Sequence, residues 1–158
     1  MKRILLLVLL GWGTAMGAYA QQVDEGIQFF QGSVEELFAR ATEEGKPIYV
    51  DVMASWCGPC KWMARNVFTK KKVADYYNSH FINYRIDIQK GEGPEFGNRY
   101  RISLLPTHLY LYPDGTEFSR YLGAMSASEF YLFGTGIIED IGPIEPRQVT
   151  GSEGESHN

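Results

Sequence analysis

The chain has 158 residues, enough for one domain that buries a core without metal or multiple disulfides to hold it together. A formal net charge of -4 argues against a nucleic-acid partner, which would want a basic face. Hydrophobic residues make up 44% and aromatic residues 14%, the proportions of a globular protein.

Lys2 and Arg3 open the chain, the apolar run Ile4 to Leu10 follows, and Ala18-Tyr19-Ala20 puts small residues where a signal peptidase reads them. Residues 1–20 therefore read as a cleaved signal peptide, with Gln21 as the mature start and the periplasm or the exterior as destination. An uncleaved membrane anchor is the competing reading. Gly11, Gly13, Thr14 and Gly17 dilute the apolar stretch, which falls short of the roughly 20 residues that span a bilayer. No cysteine stands near the cleavage site to carry a lipid.

Residues 21–142 are expected to form the domain, starting with a lead-in of little pattern up to residue 32. Ser33 reads as a helix N-cap with Glu36 completing a capping box, and Val34, Leu37, Phe38 and Ala41 give one apolar face. Gly45 and Pro47 end that helix. Ile48 to Met53 is a short apolar run broken only by Asp51, which reads as a buried strand. A turn through Trp56-Cys57-Gly58-Pro59-Cys60 then leads into a helix carrying Trp62, Met63 and Val67, and Thr69 is placed to cap another.

Ile82, Tyr84, Ile86 and Ile88 alternate with polar residues at the strand period, and His80 before them reads as a loop residue. A short helix is expected near Phe96 to Tyr100, then a strand from Thr107 to Tyr112, a turn at Pro113-Asp114-Gly115, and a strand from Glu117 to Leu122. Ser126 and Glu129 make a second capping box for a last helix with Phe130, Phe133, Ile137 and Ile141 on its apolar face. Gly134 and Gly136 should weaken it, each by about 1 kcal/mol relative to alanine. Residues 143–158 are polar and read as a disordered tail. This order of elements describes an α/β fold, a central mixed sheet flanked by helices on both faces.

Cys57 and Cys60 are the only cysteines. Disulfide exchange needs a thiolate that attacks and a second thiol that resolves the mixed disulfide. Two cysteines one turn apart at a helix N-terminus supply both, because unpaired backbone N–H groups and the helix dipole favour the anionic form of the first. Pro59 is tolerated there, where N–H groups lack helical partners. Cys57 is expected to be the exposed nucleophile and Cys60 the more buried resolving thiol. A structural staple competes, but closing so short a loop is worth only about 2 kcal/mol. A half zinc site competes too, with only His80, His108 and His157 to complete it and no paired spacing among them. No metal or cofactor is expected. His108 shares a strand face with Tyr110 and Tyr112 and reads as a hydrogen-bonded sheet histidine before a catalytic base.

Trp56-Cys57-Gly58-Pro59-Cys60-Lys61 resembles the active-site motif of the thioredoxin family, and the similarity runs over residues 33–139. Asp51 matches the family's buried acid, Leu105-Pro106-Thr107 its cis-proline loop, and Gly123-Ala124-Met125-Ser126 the glycine loop before the final helix. Within the family, Trp62-Met63, Val67-Phe68 and the added short helix look closer to secreted single-domain members and to the C-terminal domain of DsbD. Met53 stands where the family has an aromatic residue, and the lysine usual beside the buried acid aligns with Asn83.

The resemblance implies a thioredoxin fold and a set of roles. Asp51 would relay a proton as Cys60 attacks. Its own physics predicts a raised pKa, because burial disfavours charge. Trp56, Gly58, Pro59, Leu105, Pro106, Gly123 and Ala124 would form the surface that holds a substrate peptide. The implied function is reduction of disulfides in exported proteins, with disulfide-bearing proteins as substrates, a membrane reductant-transfer protein as electron donor, and a monomer as the working unit. The Gly-Pro dipeptide between the cysteines is that of the reducing members. A disulfide oxidase or isomerase is the alternative enzyme, and a non-catalytic peptide-docking module the alternative from another class.

Overall fold

The computed structural model describes residues 26–145, so the expected signal peptide and residues 146–158 of the tail lie outside the described residues. Its elements are α1 (Val34–Glu44), β1 (Ile48–Met53), α2 (Gly58–Asn66), α3 (Lys71–His80), β2 (Ile82–Asp87), α4 (Gly93–Arg99), β3 (Thr107–Leu111), β4 (Glu117–Leu122) and α5 (Ala127–Ile141).

Strand β1 is buried from Ile48 to Val52, as a central strand covered on both faces must be. The sheet order is β2-β1-β3-β4, with β1 parallel to β2 and antiparallel to β3, and β3 antiparallel to β4. Side-chain alternation along β1 divides the interior in two. Ile48, Val50 and Val52 pack with Leu37 and Ala41 of α1 and with Phe96 of α4. Tyr49 faces the other way, toward Met63 of α2, Tyr77 of α3 and Phe130 and Ile137 of α5. Helices cover both faces of a mixed sheet, the architecture the sequence implied.

Both capping boxes form. The Ser33 N–H donates to Glu36 Oε2 at 2.7 Å and the Glu36 N–H to Ser33 Oγ at 3.2 Å, with the same reciprocal pair between Ser126 and Glu129. Three local expectations are corrected. Thr69 does not cap α3. Its hydroxyl donates back to the Arg65 carbonyl at 2.8 Å, and Lys70 is the N-cap residue without a side-chain hydrogen bond. His80 lies in the last turn of α3, where its ring stacks on Tyr76 with centroids 4.1 Å apart. Gly134 is a packing requirement: a Cβ there would come within 2.6 Å of the Tyr77 hydroxyl oxygen, so its absence lets α5 close on α3.

The lead-in is also more than a connection. The Ile27 N–H donates to the Phe68 carbonyl at 2.9 Å and the Phe30 N–H to the Asn83 carbonyl at 2.7 Å, tying the segment to the α2–α3 connection and to the outer side of β2 at Asn83.

Candidate active site

Cys57 is the N-cap of α2, and Pro59 sits in the first turn. The Cys60 N–H points at Cys57 Sγ at 3.2 Å, so a first-turn amide already donates to the sulfur that would carry negative charge. The two cysteines form a disulfide with their Cα atoms 5.3 Å apart. In this oxidised state each is 3% exposed, so the expected contrast between an open Cys57 and a buried Cys60 is not present. What separates them is position, Cys57 at the cap and Cys60 inside the helix.

The turn into α2 is held from the end of β2. The Ser55 N–H donates to Asp87 Oδ2 at 3.2 Å, and the Trp56 indole N–H donates to Gln89 Oε1 at 2.8 Å. Trp56 is 65% exposed, the most open large apolar side chain among the described residues. Gly58 and Pro59 are exposed beside it.

The segments singled out in the sequence meet here. Leu105 packs against Ala54, Cys57 and Cys60, and the Leu105–Pro106 peptide bond is cis. The Gly123 N–H donates to the Pro106 carbonyl at 2.8 Å, tying the glycine loop to the proline loop. Gly123 has φ of 97°, the left-handed region that favours glycine. Leu104 and Leu122 are about half exposed and Ala124 is exposed. With Trp56 they are the exposed apolar side chains of the cysteine turn, the proline loop and the glycine loop, an apolar rim for the site.

Register pairing sets a polar row across the sheet. Arg85 of β2, Asp51 of β1, His108 of β3 and Tyr121 of β4 are successive partners. Residues paired this way share a face, here the one that α2 covers. Asp51 is 2% exposed. Arg85 Nε donates to its Oδ2 at 2.7 Å, while Oδ1 is buried without a hydrogen-bond partner. Burial pushes the carboxyl above its ordinary pKa, and the Arg85 charge and hydrogen bond only partly oppose that.

Arg85 is the residue the sequence reading missed. Asn83, the position aligned with the family's lysine, pairs with Tyr49, and the basic partner of Asp51 stands two residues further along β2. Asp51 is the one acid of β1, as read, but it has a basic partner on the neighbouring strand. The available signal was the strand alternation itself, which puts Asn83, Arg85 and Asp87 on one face.

His108 is fully buried and doubly bonded, with Nε2 3.2 Å from the Gly123 carbonyl and Nδ1 2.8 Å from the Tyr49 hydroxyl. A carbonyl only accepts, so Nε2 carries the proton and Nδ1 accepts from Tyr49. Burial pushes its pKa down to about 4, so the ring is neutral at ordinary pH. It fixes the glycine loop from below. Among the described residues no group of three or more His, Cys, Asp and Glu could hold a metal ion, and no helix is long and apolar enough to cross a membrane.

The family profile of the thioredoxin-like domain matches residues 34–133. A solved protein from Bacteroides thetaiotaomicron, described as a candidate disulphide-isomerase, is 38% identical with a TM-score of 0.63, over 70% of this chain and 94% of its own. Thioredoxin Y1 of Arabidopsis thaliana chloroplasts is 36% identical over 97 residues, 61% of this chain and 51% of that one. The thiol:disulfide interchange protein DsbD of Pseudomonas fluorescens is 29% identical over 103 residues, 63% of this chain and 17% of that one. The chain spans about half the length of the chloroplast thioredoxins it matches.

Proposed function

Because the chain belongs to the thioredoxin-like domain family, we propose that it is a protein-disulfide reductase working outside the cytoplasm through Cys57 and Cys60. As a thioredoxin-like thiol–disulfide oxidoreductase with a redox-active cysteine pair, it acts on disulfide-bearing protein substrates. The activity, its substrates, its direction and the compartment all belong to that proposal. One observation carries the chemistry: a Cys-Gly-Pro-Cys disulfide at a helix N-terminus whose first sulfur already accepts a backbone N–H. The Gly-Pro pair supports the reducing direction, and the basic start, apolar run and Ala18-Tyr19-Ala20 support export.

In the reduced protein the Cys57 thiolate attacks one sulfur of a substrate disulfide. A mixed disulfide forms and the other substrate sulfur leaves as a thiolate. Cys60 then gives its proton to Asp51 and attacks Cys57 Sγ. The second substrate sulfur leaves, and the substrate thiolates take up protons. Two electrons have passed to the substrate, and the protein is left in the disulfide state seen here. A membrane reductant-transfer protein is the class of donor that would restore the dithiol. Trp56, Leu105, Pro106, Gly123 and Ala124 would hold the substrate segment by its backbone on the apolar rim, with little demand on its side chains.

The deciding measurement is the equilibrium potential of the Cys57–Cys60 couple against defined dithiol buffers. A potential near or below about −230 mV is expected of a reductase. One above about −180 mV would make the protein an oxidase or isomerase, the reading that likeness to the Bacteroides protein favours.

A further inference from the structure

We propose that Phe29, in the lead-in segment before the residues that match the family, is a positioning residue for the Asp51 carboxyl and acts on it through Arg85. The proposal rests on the reading of Asp51 as the group that takes the Cys60 proton.

Arg85 has a long, flexible side chain that is one-third exposed. An arginine so placed ordinarily divides its time between its partner and water. Here its guanidinium carbon lies 4.1 Å from the centroid of the Phe29 ring and 5.3 Å from that of Phe68. The two rings meet edge to face at 5.9 Å. A planar guanidinium stacks on an aromatic face, and the attraction strengthens as water is excluded. The stack leaves Nε aimed at Asp51 Oδ2.

Phe29 is itself fixed from both sides. Ile27 and Phe30 make backbone hydrogen bonds to Phe68 and Asn83, and the Asn78 side chain bonds the Gly26 carbonyl at 3.0 Å and the Gln28 N–H at 2.8 Å. The lead-in thus completes the proton-handling site from outside the sheet.

The titratable groups on this face are Arg85 and Asp87 from β2, Tyr49 from β1, His108 and Tyr110 from β3, Tyr121 from β4 and Tyr77 from α3. Burial keeps His108 neutral above about 4 and holds Tyr49, Tyr77 and Tyr110 protonated. Arg85 is the cation among them, and its charge and hydrogen bond oppose protonation of Asp51 in the oxidised protein. Loosening it lets the carboxyl hold its proton to higher pH, so less of the base form is available at low pH.

The test uses the full chain with Phe29→Leu, which keeps apolar volume and removes the ring, and Phe29→Tyr, which keeps the face. Carboxyl carbon NMR follows Asp51, assigned by its loss in Asp51→Asn, while disulfide-reduction rates are recorded against pH. Phe29→Leu is expected to move the Asp51 titration upward in both redox states. Turnover should fall about two- to fivefold on the acid limb and stay unchanged on the plateau, with Phe29→Tyr close to wild type. A Phe29→Leu protein whose Asp51 titrates as in wild type overturns the proposal, as does an equal loss of turnover at every pH. Should leucine prevent folding, Phe29→Met removes the same ring and is judged by the same titration. If Asp51→Asn leaves the rate profile of the wild type intact, the proton role of Asp51 fails, and the NMR titration alone still decides whether Phe29 positions the carboxyl.

Discussion

Asp51 and His108 face each other across β1 and β3, and burial drives both toward their neutral forms, by raising one pKa and lowering the other. For Asp51 the folded pKa lies above the unfolded one. Its protonated form favours folding, and that contribution is fully present below the unfolded value and lost as pH rises through the folded value. Asp51→Asn keeps the shape and an acceptor for Arg85 while removing the charge. It should therefore raise the melting temperature at pH 8 more than at pH 3, and calorimetry across that range checks it. His108 is also raised in importance by what it touches. His108→Leu leaves the Tyr49 hydroxyl and the Gly123 carbonyl without their partner, a loss of about 1–3 kcal/mol per buried group, measurable by urea unfolding. The residue types in this row were plain in the sequence. That Arg85 serves Asp51 was not, because the pair is 34 residues apart and depends on which strand lies beside β1 and in what register.

At the level of elements, helix starts with a side-chain cap and strands with strict alternation were legible, since both signals are local. The α3 start was not, because Lys70 caps it without a side-chain hydrogen bond and leaves no such mark. Helix α5 shows the limit of propensity most directly. Its two glycines look alike in sequence, yet a Cβ at Gly134 would meet the Tyr77 hydroxyl oxygen at 2.6 Å, and one at Gly136 would meet nothing within 4 Å. Gly136→Ala should stabilise the protein by up to about 1 kcal/mol. Gly134→Ala should destabilise it by about 1–3 kcal/mol despite the better helix former, because Tyr77 also bonds the Phe130 carbonyl and stacks on the Phe130 ring. Thermal unfolding of the two variants side by side separates packing from propensity.

For the whole molecule, the two-faced burial of β1 was readable from its composition, and the layered architecture followed from the order of elements. The cysteine motif stood out in the sequence as well, because its chemistry is contained in four consecutive residues. The role of residues 26–30 was not legible. Their hydrogen bonds run to Phe68, Asn78 and Asn83, and nothing in the segment's own composition announces that.

A strand at the border of a sheet offers a row of unused backbone groups to any passing chain, and natural proteins blunt such borders. On β2 the lead-in occupies the border at Asn83, whose carbonyl accepts from the Phe30 N–H. On the opposite border, β4 carries Arg120 and Glu117, which pair with each other, and its pairing with β3 is irregular near Leu111. Stripped of its first 31 residues, the chain should keep its helices but gain an adhesive side. Sedimentation at rising concentration should then show self-association that the longer chain does not, and a strictly monomeric short form would refute this reading. The short stretch that steadies Arg85 would then also be what keeps neighbouring copies from zipping together through their sheets.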